Sequence, residues 1–141
     1  MKKSLLIVFV LFFAVVICSF AENNDFISSL RNCSSYSESG TVDTDGLTVN
    51  STKQIVGWEG SKCIYKETVS FSGINTCVTC KFSKNQIAEL ANVTQAYETI
   101  QKYTNTKVDT SSVDAVKDNP VVKTWNKYLQ DQSVCNMSMI R

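Results

Sequence analysis

Cys77-Val78-Thr79-Cys80 is the stretch whose residue types and spacing match a recognised redox chemistry, the C-x-x-C dithiol. Such a pair works when its first cysteine opens a helix, where unpaired amides and the helix dipole stabilise the thiolate. Here Ser83-Lys84-Asn85-Gln86 is a capping box, so the helix starts after Ser83 and both thiols precede it. They fall on a strand, where residues three apart point to opposite faces. Cys80 then shares a face with Val78 and Phe82, while Cys77 shares the other with Thr79 and Lys81. A thiol-disulfide redox protein using Cys77 and Cys80 is the alternative function that the motif allows.

Three further cysteines follow the leader: Cys33, Cys63 and Cys135. Pairing strands from the turn signals puts Trp58 opposite Cys63, Val56 opposite Tyr65 and Cys80 opposite Glu67. Cys33 extrapolates to the Cys63 end of the sheet, so Cys33 with Cys63 is one expected bridge. Cys80 with Cys135 is the other, pinning the C-terminal helix to the sheet. Cys77 is left as the free thiol, open to solvent, and predicts a Cys77-linked dimer.

The chain has no histidine. That removes Ser-His-Asp and Cys-His nucleophiles, histidine-ligated zinc and imidazole acid–base work. No phosphate-binding glycine loop or nucleophile elbow occurs. Asp43-Thr44-Asp45-Gly46 starts like a calcium loop, but Leu47 to Lys53 supply no carboxylate. No metal or cofactor site is expected. Paired carboxylates remain, Glu38 with Asp43 or Glu59 with Glu67. Strict alternation puts Glu67 on the Cys63–Tyr65–Val69 face, where a β-bulge or the end of the covered face is the ordinary account and a buried acid of raised pKa the sharper one. Trp58, Tyr65, Phe71, Trp125 and Tyr128 read as core, with a ligand pocket as the competing use. Sequons begin at Asn32, Asn50, Asn92 and Asn136.

The elements that must position these residues are legible in outline. Asp45-Gly46 is the strongest short-range hairpin signal and sets Val42 opposite Val49 and Thr44 opposite Leu47. Glu59-Gly60-Ser61-Lys62 and Ser72-Gly73-Ile74-Asn75 turn the chain twice more, ending with "TCVTCKF". After the capping box, Ile87, Leu90, Val93, Tyr97, Ile100 and Tyr103 recur at helical intervals to about Tyr103. A helical turn is expected near Val113 to Val116. Asn119-Pro120 restarts a helix whose apolar side is Val121, Val122, Trp125, Tyr128 and Leu129. The tail "SVCNMSMIR" extends that helix or adds an edge strand, and Phe26, Ile27 and Leu30 suggest a short leading helix. The fold class is α+β: a four-stranded antiparallel β-meander with C-terminal helices packed on one face, disulfide-stabilised.

Residues 1–21 read as a signal peptide: Lys2 and Lys3, an apolar run from Leu5 to Ile17, then Ser19-Phe20-Ala21 before a polar start. The run is shorter than the ~20 residues of a bilayer span. Residues 22–141 form the single exported domain. The formal net charge of +1 drops to near neutral once the leader's lysines go, which gives nucleic acid or an anionic membrane no electrostatic hold. The chain therefore reads as a secreted or periplasmic, non-enzymatic binding or interaction domain for an unknown protein or small-molecule ligand, with no membrane association after signal cleavage.

Overall fold

The computed structural model describes residues 24–44, 47–105 and 117–140. The leader, the Asp45-Gly46 turn residues and the turn expected near Val113 to Val116 lie outside them. In chain order the elements are α1 (Asn24–Asn32), β1 (Tyr36–Thr44), β2 (Leu47–Glu59), β3 (Lys62–Phe71), β4 (Ile74–Phe82), α2 (Lys84–Thr104), α3 (Pro120–Leu129) and β5 (Cys135–Ile140). The strands make one antiparallel sheet in the order β1-β2-β3-β4-β5. The expected meander thus gains a fifth strand, because the tail pairs with β4 rather than extending α3.

One face of the sheet is covered. Along β2, Val49, Ser51, Lys53 and Ile55 are buried while Thr48, Asn50, Thr52 and Gln54 are exposed, the period of two that a half-covered sheet requires. The outer face is rich in hydroxyl and amide side chains that pair with one another, as Ser39 with Thr52 and Thr41 with Asn50. On the inner face, Trp125 of α3 meets Tyr65 and Phe82 with ring centroids 5.1 and 5.9 Å away, fastening that helix to β3 and β4. Phe26 of α1 packs edge-on against Tyr36 of β1.

The helices start where local chemistry dictates. Ser83 accepts from the Gln86 amide and Gln86 returns to the Ser83 amide, so the capping box is complete. Asn119 accepts from the amides of Val121 and Val122, with Pro120 just inside the helix. The apolar stripe of α2 is used only in its first half: Ile87, Leu90, Ala91 and Thr94 are buried, whereas Ile100 and Tyr103 are exposed.

Two strand registers differ from those expected. Tyr65 faces Ile55, not Val56, because a bulge between Ile55 and Gly57 inserts a residue into β2. Gly57 has φ 124°, a conformation that favours glycine. Trp58 still falls opposite Cys63. The β3–β4 turn is the two-residue Ser72-Gly73, with φ of 46° and 76°, so Phe71 pairs with Ile74. Cys80 therefore lies opposite Tyr65, and Glu67 opposite Val78.

Candidate functional site

The cysteines separate into two bridges and one thiol. Cys33 follows α1 in the left-handed conformation, φ 50°, and closes the helix in a Schellman pattern: its amide reaches Leu30 and that of Ser34 reaches Ser29. This reversal carries Cys33 to Cys63, with Cα atoms 5.8 Å apart. Cys80 is bonded to Cys135 directly across β4 and β5, Cα atoms 4.0 Å apart, and the Lys81 amide donates to the Val134 carbonyl beside it. The second bridge ties β5, rather than α3 itself, to the sheet. The C-x-x-C is thus split: Cys80 is buried in a disulfide, and Cys77 sits on the outer face as a free cysteine. Cys77 is half-buried, not open, because Thr68 of β3 and Ser138 of β5 flank it on either side.

A row of charges lies on the covered face. Glu38, Lys53 and Glu67 are direct cross-strand neighbours on β1, β2 and β3. Lys53 is 5 % exposed; its ammonium lies 2.9 Å from Glu38 and 4.4 Å from the centre of the Phe26 ring. Glu67 is 3 % exposed and accepts a 2.9 Å hydrogen bond from the Tyr65 hydroxyl. Tyr36 does the same for Glu38, so each acid is held by the tyrosine two residues before it on its own strand. Burial raises the Glu67 carboxyl from the ordinary 4.5 to about 7, against the opposing pull of the Tyr65 hydroxyl and the Lys53 charge. Burial also raises Glu98 of α2, which Lys53 opposes in the same way.

Neither ordinary account of Glu67 holds. The bulge is on β2, and the covered face extends past Glu67 to Val69 and Thr76. The carboxylate pairs expected from sequence do not assemble either: Asp43 takes a hydrogen bond from Thr48, Glu59 reaches Lys81, and Glu38 shares Lys53 with Glu67. Lys53 was the missed member, and Ser51 is a second buried polar residue on the same strand. Their signal is the alternation with Val49 and Ile55, and the hairpin register already sets Glu38 opposite Lys53. Lys53 and Glu67 are buried and Glu38 is half-buried at the edge, so the row holds a charge and a proton inside the fold.

An accessible feature lies at the C-terminal end of β2. An open groove of about 680 Å³ lies among the end of α1, the β2–β3 turn and the start of α2. Arg31, Asn32, Trp58, Ser61, Lys84 and Ile87 line it, with Gly60 at the turn. Trp58 is 42 % exposed, unlike Tyr65 and Trp125, which are core. Its indole N–H donates to the Asn32 carbonyl over 3.3 Å, and the Lys84 ammonium stands 5.8 Å from its ring centre. The bulge at Gly57 brings Trp58 opposite Cys63 on the helix-covered face, at the exposed end of β2, and the Cys33–Cys63 bridge fixes the end of α1 against the same corner. Arg31 is oriented by hydrogen bonds to Asn92 and Gln95 of α2, 2.8 and 2.7 Å long.

Among the described residues no cluster of three or more His, Cys, Asp or Glu side chains could hold a metal ion, and no helix is long and apolar enough to cross a membrane. Comparison with models of protein families, with characterised proteins and with solved structures finds no match for this chain. What the chain does is therefore argued from its own geometry.

Proposed function

We propose that the protein is an exported, non-enzymatic binding domain that recognises its ligand at the groove beside Trp58. The leader-like residues 1–21 and two disulfides support an oxidising destination, secreted or periplasmic. The observation that carries the reading is the exposed, hydrogen-bonded indole of Trp58 in a groove whose walls are tied together by the Cys33–Cys63 bridge. Preorganised aromatic side chains of this kind lose little entropy on binding and dominate recognition energetics. Among the described residues no side chain there is placed as nucleophile or general base, whereas a flat apolar surface flanked by hydrogen-bonding groups is what orients a ligand.

A thermal-shift screen of chemically diverse small molecules, run on wild type and Trp58→Ala together, tests this reading. A ligand that binds the folded state raises its melting temperature by mass action. We expect compounds that stabilise the wild type and leave Trp58→Ala unmoved, the variant folding normally because Trp58 lies outside the core. If every stabilising compound acts on both proteins alike, the groove is not the recognition site.

A further inference from the structure

We propose that the groove beside Trp58 takes a small organic anion, a carboxylate, sulfate or phosphate group carried on a flat apolar body. This deepens the binding-domain reading and rests on it. The walls supply two cations from different helices, Arg31 at the end of α1 and Lys84 at the start of α2, and among the described residues no acid lines the groove.

Both cations keep their charge available. Arg31 is held at the groove's edge by Asn92 and Gln95, which are neutral and outside the lining; two of its five N–H groups are engaged, and it forms no ion pair among the described residues. Lys84 forms no ion pair among the described residues and rests over the indole. The acid nearest in sequence, Glu59, is directed to Lys81 at 3.8 Å. Lys62 adds a further positive charge at the same turn. On a chain this close to neutral, such a corner is a local departure that favours anions.

The apolar half of the ligand follows from Trp58 and Ile87. The indole offers a ring surface whose N–H edge is already satisfied, and Ile87 is buried beneath. The size of the groove favours a small molecule over a protein. Its 680 Å³ falls within the ~300–1,000 Å³ of small-ligand pockets. A stable protein interface engages roughly 20–30 residues a side, far more than line this groove.

Isothermal titration with 2-naphthoate, and with its neutral analogue 2-naphthamide, separates charge from shape. For wild type we expect naphthoate to bind about tenfold more tightly, the ratio that 1.4 kcal/mol corresponds to. Lys84→Gln and Arg31→Gln should each lower that ratio severalfold, and 0.5 M salt should weaken naphthoate while leaving naphthamide alone. Lys84→Gln is on an exposed position and keeps the test meaningful if Arg31→Gln loosens the α1–α2 contact. Equal affinity for the two probes overturns the anion assignment while leaving the groove as a binding site. If neither probe binds, and Trp58→Ala is indistinguishable from wild type in the thermal-shift screen, both readings fall. A short acetylated peptide rich in glutamate that outcompetes naphthoate would move the site to a protein partner and overturn the small-molecule assignment.

Discussion

Glu67 gains its proton for a reason that can be tested by pH alone. Its folded pKa of about 7 lies above the ordinary 4.5, so between those values the folded protein retains a proton that the unfolded chain has released. Stability from this group is complete below about 4.5 and is lost as pH rises through 7. The loss amounts to roughly 3 kcal/mol at ~1.4 kcal/mol per pKa unit. Glu67→Gln cannot ionise. Urea unfolding of both proteins from pH 4 to 8 should show wild type weakening relative to the variant across that window; parallel curves would remove the buried-acid account. Cys77 is the second residue with a distinct expectation. Its thiol serves no bridge, so Cys77→Ser should shift stability by less than about 1 kcal/mol. Cys80→Ser breaks a disulfide and should cost about 2–5 kcal/mol. We propose that Cys77 also links two copies of the chain in an oxidising medium. Non-reducing electrophoresis should show a dimer band that Cys77→Ser abolishes, and a band that persists in the variant contradicts the linkage.

At the scale of elements, the β2 bulge and the fifth strand shape the molecule most. Gly57 holds a positive φ at the point where β2 gains its extra residue, and Trp58 follows directly. Gly57→Ala forces a side chain into that conformation and should cost about 1–3 kcal/mol. Because the same change disturbs the placement of Trp58 opposite Cys63, the tryptophan emission should shift along with stability. Unchanged emission would mean that the bulge does not position the indole. β5 depends on different support. It is an edge strand of six residues, paired only to β4 and tied to it by Cys80–Cys135. In a Cys80→Ser, Cys135→Ser variant, hydrogen exchange should accelerate first in Cys135–Ile140, while the amides of β2 and β3 keep their protection.

For the whole molecule, legibility divides by the range of the interaction. Ser83 with Gln86, and Asn119 with Pro120, declare themselves because a helix start makes local demands on backbone amides. The Thr44–Leu47 hairpin register is likewise local and occurs as expected. The bulge is not legible, since Val56-Gly57-Trp58 alternates acceptably and the extra residue is absorbed only against β3. Ser72 at positive φ is equally hidden, because the turn could be centred one residue later without violating any local preference. One consequence followed at the sites: Cys80 stands opposite Tyr65 rather than Glu67. Trp58 keeps its expected partner Cys63 and yet faces a groove rather than the core, because it lies at an exposed end of the covered face. Burial of Lys53 and Glu67 beside Glu38 needs three strands and the elements that cover them, although alternation along β2 already pointed Lys53 inward. The central claim is that recognition occurs at the corner where α1, the β2–β3 turn and α2 meet. Its most direct test is a ¹⁵N chemical-shift titration of the intact protein with 2-naphthoate. The Trp58 indole N–H should move together with the amides of Asn32, Gly60, Ser61 and Lys84, while the Trp125 indole stays in place. Shifts confined to the hydroxyl-rich outer face of the sheet, or no shift at millimolar ligand, would contradict it.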